Sequence, residues 1–524
     1  MKNLKRLTCL VIMIFMISAF VLTGCGGLKD NPAINATVYS NGGMSVIKGD
    51  YLYYVNGFVD EDKLTDAKTE NVKGDVVKGA LYRTKINNGI QKDKDGFVKD
   101  SSGKSLTECV VSKIVGFSNG GFHIVDDFIY YATPCMTYSS ANKDDSSTDA
   151  LQNELVEFHR VKIDGTDDKL IYTTTEQADV LEWNVTKIGS KVYITSFSGK
   201  TLMLANASDK KLLATINDVT SCALPQEETY SKDTYSSSAH LLNYIYYTRA
   251  VNTEDGQSST YKGNVVCRAK VTNGNTEVVK YDLSNTYSFK FVKNNALYYT
   301  KSSVLLGDQT PLYKNKLAND NNFASSAETC VALMDGVSTY LVLDYEYNYD
   351  SNGLKTTPVS TNSNVVIGLG SSGKIFRFES IDGAPSSSMV TKLLNTGSSS
   401  TKLLKVVDTT LYIVDSNVVY KIDAKADLSN GEATKEIVSK DNYTYLVTNK
   451  NYFDVTDNYL FVYAEFKVGE SSNYYLTYID IANDYTSRFV GEFDKDEVPT
   501  APEQKEGYDE KDPNCDVEYT PWID

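Results

Sequence analysis

An all-β fold built from a repeated four-stranded unit is what this sequence predicts, and three observations predict it. Short runs rich in Tyr, Val, Ile and Thr recur between Asn, Asp, Gly and Ser, while long stretches with helical period are scarce after residue 22. A short apolar-aromatic motif returns along the chain. A second motif, apolar-Tyr-basic before a polar turn, follows each copy. The 524 residues include 38 Tyr but only 10 Pro and 2 Trp, and a hydrophobic content of 41% is ample for a large core.

The first motif pairs turn residues with a strand. It reads Gly49-Asp-Tyr-Leu-Tyr-Tyr54, Asp126-Asp-Phe-Ile-Tyr-Tyr131, Gly189-Ser-Lys-Val-Tyr-Ile194 and Leu242-Asn-Tyr-Ile-Tyr-Tyr247. It returns as Asn294-Asn-Ala-Leu-Tyr-Tyr299, Asp408-Thr-Thr-Leu-Tyr-Ile413 and Asp457-Asn-Tyr-Leu-Phe-Val462, with a weaker copy at Ser338-Thr-Tyr-Leu-Val-Leu343. The second motif is Leu81-Tyr82-Arg83, His159-Arg160, Cys267-Arg268, Tyr313-Lys314, Phe376-Arg377 and Tyr420-Lys421, with weaker versions at Leu202-Met203 and Leu476-Thr477-Tyr478.

Spacing in the fifties fits a four-stranded propeller blade with insertions, roughly 40–50 residues without them. A blade lies between two neighbours, so both faces of its middle strands are buried and such strands read as unbroken apolar runs. Leu52 to Val55 and Tyr244 to Tyr247 do so. Asn-Gly and Asp-Gly pairs supply the positive-φ residues of tight hairpins. The expectation is an all-β β-propeller of four-stranded antiparallel sheets, with seven or eight blades, over residues 38–493.

Ile245-Tyr-Tyr-Thr248 and Leu297-Tyr-Tyr-Thr300, with the later Tyr-Arg and Asp-Gly, resemble the YWTD-type propeller of low-density-lipoprotein receptors. Bacterial lipoproteins carrying propellers of that kind look closer still. Here Tyr replaces the Trp of that motif, and Arg249 and Lys301 stand where its Asp belongs. The resemblance implies six blades, and the motif residues it covers are structural, so it assigns no functional residue.

Lys2, Lys5 and Arg6 precede an apolar run from Leu7 to Leu22, and Leu22-Thr23-Gly24-Cys25 closes it. This resembles the lipobox of bacterial lipoproteins, which implies cleavage before Cys25 and a lipid on its thiol. Residues 1–24 are then a signal peptide, 25–37 a lipid-anchored tether and 494–524 an acidic mobile tail. The implied location is the extracytoplasmic face of the cell membrane.

The formal net charge of −16 becomes −19 once the three N-terminal cations are removed. An acidic body without a basic stripe is no candidate for nucleic acid. It is repelled by anionic headgroups, so the lipid must do the anchoring, and stable anchoring takes more than one acyl chain.

Function is expected on loops held by a rigid scaffold. Residues 57–79, 133–156, 252–263 and 344–363 lengthen the link between the two motifs of their repeats. If all four are the same connection, they emerge on one face of the ring. Within them Tyr345, Tyr347 and Tyr349 alternate with Glu346 and Asn348, which lines three rings along one strand face. Exposed, that stripe suits a sugar or peptide ligand; buried, it is blade packing, the commoner fate of such residues. Tyr138 and Tyr261 sit in other insertions and complete the candidate ligand surface.

Enzyme-like patterns fail on context. Gly116-Phe-Ser-Asn-Gly120 matches a nucleophile elbow around Ser118, but a strand rather than a helix follows. Gly368-Leu-Gly-Ser-Ser-Gly373 matches a dinucleotide fingerprint, but Lys374 to Phe378 also reads as a strand. Only His123, His159 and His240 exist, and the calcium-like Asp93-Lys-Asp95-Gly96 has Gln91 and Ser102 where acids are needed. No catalytic residue, metal ligand or cofactor is therefore expected. Cys109, Cys135, Cys222, Cys267, Cys330 and Cys515 allow 15 disulfide pairings or buried thiols. The expected role is a binding or scaffolding module for protein or glycan; the alternative is a propeller hydrolase or lyase acting on glycans.

Overall fold

The computed structural model describes residues 43–49, 51–57, 72–73, 76–85, 107–117, 120–134, 155–174, 182–224, 244–255, 258–282, 286–293, 296–302, 312–317, 323, 328–332, 339–342, 346–349, 355–359, 365–379, 390–407, 409–416, 418–429, 431–438, 453–455, 459–468, 471–481, 486–491, 502–503 and 520–521. They form eight four-stranded antiparallel sheets, one after another along the chain. Blade 1 comprises Ser45–Lys48, Tyr51–Val55, Leu81–Lys85 and Thr107–Val111. Blade 2 comprises Phe122–Val125, Phe128–Pro134, Val156–Lys162 and Lys169–Thr173. Blade 3 comprises Glu182–Ile188, Lys191–Phe197, Leu202–Asn206 and Lys211–Ile216. Blade 4 comprises Val219–Ala223, Tyr244–Asp255, Ser258–Lys270 and Thr276–Asp282. Blade 5 comprises Thr286–Lys293, Ala296–Ser302, Leu312–Lys316 and Glu328–Ala332. Blade 6 comprises Thr339–Val342, Val365–Leu369, Lys374–Glu379 and Val390–Asn395. Blade 7 comprises Lys402–Val407, Thr410–Asp415, Val418–Asp423 and Lys435–Ile437. Blade 8 comprises Phe453–Val455, Tyr459–Val468, Ser471–Asp480 and Thr486–Val490.

Each sheet packs on the next, and the ring closes. Apolar clusters join blades 2 and 3, 3 and 4, 4 and 5, 6 and 7, and 7 and 8. The fourth strand of blade 5 adjoins the third of blade 6. One cluster holds residues of blades 1, 2 and 8 together, including Tyr53, Ile129, Phe461 and Tyr478. Tyr463 of blade 8 donates its hydroxyl to the Val55 carbonyl of blade 1 at 3.0 Å, across 408 positions of sequence. No strand is shared at this closure, because every blade is drawn from one continuous stretch of chain. The fold is thus a β-propeller, with eight sheets rather than the six that the YWTD-type resemblance implies.

The second strands carry the apolar-aromatic motif, as the sequence predicts for seven blades, and Tyr51 to Val55 are buried throughout. The third strands carry the second motif in all eight, with its basic residue in six and the weaker Leu202-Met203 and Leu476-Thr477-Tyr478 versions in blades 3 and 8. First strands lie innermost, where those of blades 4 and 5, 6 and 7, and 7 and 8 touch. Fourth strands form the rim and are the most exposed, as in Lys211–Ile216.

The rim strand bulges in six blades, with Val110, Ile171, Leu213, Val279, Val331 and Leu393 as the extra residue. A bulge bends and twists an edge strand, which spoils it as a template for aggregation. Among the described residues no helix is long and apolar enough to cross a membrane. Within the expected tail, Pro502–Glu503 pairs with Thr520–Pro521.

Candidate functional site

The blades alternate strand direction, so a second-to-third connection and a first-to-second turn leave from opposite ends of the ring. Residues 57–79 join the second and third strands of blade 1, and residues 133–156 span the same connection in blade 2. Residues 252–263 are the outer part of the long hairpin between Tyr244–Asp255 and Ser258–Lys270 in blade 4. These three insertions leave from one end, as expected. Blade 8 adds a fourth elaboration there, the long hairpin of Tyr459–Val468 and Ser471–Asp480.

The insertion at 344–363 corrects the expectation. It lies between the first and second strands of blade 6, Thr339–Val342 and Val365–Leu369, and therefore leaves from the opposite end. The apolar run at Ser338 to Leu343 resembles a second strand because an innermost strand is flanked by neighbouring blades and is apolar for the same reason. The insertion forms its own hairpin, Glu346–Tyr349 with Lys355–Val359, in which Tyr347 faces Pro358 and Tyr349 faces Lys355. Tyr347 and Tyr349 therefore do not share an end of the ring with Tyr261, which lies on Ser258–Lys270 opposite Asn252. Tyr345, Tyr138 and Cys25 lie outside the described residues, as do Ser118, the Asp93 turn, Cys135 and Cys515.

Both enzyme-like patterns lead into strands, not helices. Strand Phe122–Val125 follows Gly120, and a Cβ on Gly120 would sit 1.9 Å from the Val115 carbonyl oxygen. Gly370 to Gly373 form the tight turn between Val365–Leu369 and Lys374–Glu379.

Sequence reasoning missed one titratable cluster, at the seam of blades 1 and 2. His159 on the third strand of blade 2 holds Nε2 3.1 Å from Glu157 Oε2 and Nδ1 3.2 Å from Asp168 Oδ1. Lys113 donates to Asp168 Oδ2 at 2.8 Å, and Tyr131 donates to Asp168 Oδ1 at 2.8 Å. Tyr131 also stacks on the His159 ring at 5.2 Å between centroids. Partial burial pushes the Asp168 carboxyl up, but the hydrogen bonds from His159, Lys113 and Tyr131 outweigh it and hold it well below the usual carboxylate range. Glu157-x-His159 on a strand, which puts both side chains on one face, is the signal that reveals it.

Chemically the cluster is closed. His159 is only 6% exposed in its side chain, sits against a ring and has both nitrogens engaged. The arrangement locks blade 2 to the chain leaving blade 1. A second network, near the axis, laces three blades. Lys48 of blade 1 donates to the Asp126 main-chain oxygen, and Lys187 of blade 3 donates to both Asp126 carboxylate oxygens at 2.9 and 2.8 Å. Burial pushes the Lys48 ammonium down, against the pull of Asp127 and Asp126.

Among the described residues no group of His, Cys, Asp and Glu suits a metal ion. Cys222 and Cys267 are free thiols on neighbouring parts of blade 4, and burial pushes both up, away from the reactive thiolate. Cys109 is exposed on the rim of blade 1.

No family model matches the chain, and no curated protein matches it. Solved structures similar to it include a puromycin hydrolase, at TM-score 0.39 and 10% identity over 72% of this chain and 55% of that one. The acylaminoacyl peptidase of Pyrococcus horikoshii is similar at TM-score 0.36 and 9% identity, over 72% of this chain and 53% of that one. An oligogalacturonate lyase in complex with manganese is similar at TM-score 0.31 and 10% identity, over 68% of this chain and 82% of that one. The matched region thus spans about half the length of the first two. At these scores the likenesses carry no argument, and the fold rests on the eight sheets themselves.

Proposed function

We propose that this chain is a lipid-anchored, extracytoplasmic β-propeller that acts as a binding module for protein or glycan. The observation that carries the binding role is the set of long second-to-third connections that leave one end of the ring together. Blades 8, 1, 2 and 4 all lengthen the second-to-third connection, and each of these stretches is net negative. Residues 56–80 hold six acids against four bases, and 135–155 hold four against one. Residues 250–263 and 463–475 each hold two against one. Long acidic loops held by a rigid ring suit recognition rather than packing.

The anchoring role rests on Leu22-Thr23-Gly24-Cys25 after its basic and apolar segments. The full chain, expressed in a bacterium fed a clickable fatty acid, is expected to take up label and fractionate with membranes. Cys25→Ser is expected to abolish both. Label retained by that variant sinks the anchor.

Binding is tested with the mature chain on glycan and peptide arrays, beside assays for glycan cleavage. Retention without turnover supports the module. Cleavage would favour the alternative, a propeller hydrolase or lyase, which needs an acid–base pair more accessible than His159.

A further inference from the structure

The two longest hairpins among the described residues rise from the end where the second-to-third connections leave, in blades 4 and 8. Three blades lie between them on either side in a ring of eight, so they stand half a turn apart. In blade 4 the first strand pairs with the second only as far as Arg249, and the fourth pairs with the third only from Asn264. Val251 to Asp255 and Ser258 to Gly263 continue as a two-stranded ribbon, with no further strand on either side among the described residues. Five or six residues reach about 17–20 Å beyond the blade.

A ribbon of this kind carries two rows of backbone N–H and C=O groups with no ladder partner. The two edges differ. On the third-strand side the register shifts between Val251 and Asn252, with Gly263 opposite Val251 and Tyr261 opposite Asn252. Lys262 is thus the extra residue of a bulge, and Gly263 takes φ 131°. A bulge with a lysine is how proteins blunt an edge. On the other side Val251, Asn252, Thr253, Glu254 and Asp255 run on in unbroken register from Asn252, without proline or lysine. The blade 8 ribbon is less free, since Tyr463 and Tyr475 at its base are buried at the closure with blade 1.

We propose that the Val251–Asp255 edge of blade 4 accepts an extended, basic polypeptide segment as an added antiparallel or parallel strand. Main-chain hydrogen bonds supply the affinity, since an open edge offers donors and acceptors at the spacing of a strand and of no other ligand. Charge selects the partner. Glu254 and Asp255 stand at the tip, and the four long second-to-third connections on this end are each net negative, so lysine and arginine in the incoming strand are favoured. This inference rests on the binding-module reading above.

The test uses the full mature chain and a fluorescent seven-residue peptide amide of alternating Lys/Thr and Val, followed by anisotropy. Its control is the same peptide N-methylated at alternate amides, which keeps the side chains and charge but blocks one edge. Two variants accompany it. One replaces 252–262 with an Asn-Gly turn, and its unchanged melting midpoint shows that the ring is intact. The other is Glu254→Lys with Asp255→Lys.

The proposal expects saturable binding that N-methylation and arm shortening each weaken about tenfold or more, while the double substitution weakens it several-fold and only at low salt. Equal binding of the methylated peptide, or full binding by the shortened arm, overturns it. No peptide binding while arrays show glycan retention overturns this inference and leaves the module standing. No binding of either class sinks both.

Discussion

Arg83 on the third strand of blade 1 lies directly opposite Glu108 on the fourth, and its Nε and Nη2 both donate to one carboxylate oxygen, at 3.1 and 3.0 Å. The same register position pairs Arg268 with Glu277 in blade 4 and Lys421 with Glu436 in blade 7. The basic residue of the second motif is therefore a staple between third strand and rim. In blades 2 and 6, where the opposite residue is not acidic, the cation reaches the next blade instead. Arg160 donates to the Ser208 carbonyl, and Arg377 to those of Ala424 and Ala426.

These staples differ in burial, which predicts unequal costs. The Arg83 side chain is 0% exposed, whereas those of Lys421 and Glu436 are 29% and 62% exposed. Arg83→Ala removes a desolvated cation and its packing on Tyr51, so it is expected to cost about 2–3 kcal/mol. Lys421→Ala is expected to cost less than about 1 kcal/mol. Urea unfolding of both variants decides it, and equal costs would refute the role of burial.

Acid is expected to loosen the seam of blades 1 and 2. The Asp168 carboxyl is held below its unfolded value, so its contribution to stability is complete above the ordinary carboxylate range, near pH 4. It is lost as pH falls through the folded value, because the unfolded chain then binds the extra proton. Asp168→Asn should be less stable than the parent at neutral pH, and that difference should shrink progressively below about pH 4. Melting midpoints against pH test this; parallel curves for the two proteins would contradict it.

Ring closure without a shared strand rests on side-chain packing, with Tyr463 at its centre bonded across the joint. Tyr463→Phe keeps the buried ring and loses the bond to Val55, an expected cost of about 1 kcal/mol. Tyr463→Ala also leaves a cavity, an expected cost of about 3–5 kcal/mol. Hydrogen exchange should rise first in blades 1 and 8. A uniform rise around the ring would show that closure is not the weak joint.

The dinucleotide-like glycines should behave as turn residues. Gly373 has φ 71°, and a Cβ there would fall 1.9 Å from Thr396 Oγ1 and 2.6 Å from the Ser398 carbonyl oxygen. Gly373→Ala is expected to cost about 2 kcal/mol or more. Gly397 has φ 73° but nothing within 4 Å of the added carbon, so Gly397→Ala should cost only about 1 kcal/mol of backbone strain. Thermal melts separate the two, and a neutral Gly373→Ala would remove the steric account.

Much of the fold was legible because blade physics writes itself into local sequence. A middle strand buried on both faces must be apolar along its length, as Leu52 to Val55 are, and a third strand that staples the rim needs a cation, as at Arg83 and Lys421. The His159 cluster was less legible, because Lys113, Tyr131 and Asp168 come from three strands or links whose meeting is a matter of packing. The candidate tyrosines illustrate the same limit. Tyr347 and Tyr261 look alike in sequence, yet they leave from opposite ends of the ring.

By itself, then, the chain's sequence determined the strand-rich class, the repeat, the third strand of every blade and the second strand of seven, since each depends on neighbours within a few residues. Tertiary structure alone decided that eight sheets close the ring, that Thr339–Val342 is an inner rather than a second strand, and that the rim bulges. Those depend on which strand lies beside which across the ring. Contacts as distant as Tyr463 with Val55 set that order, and no local pattern encodes it.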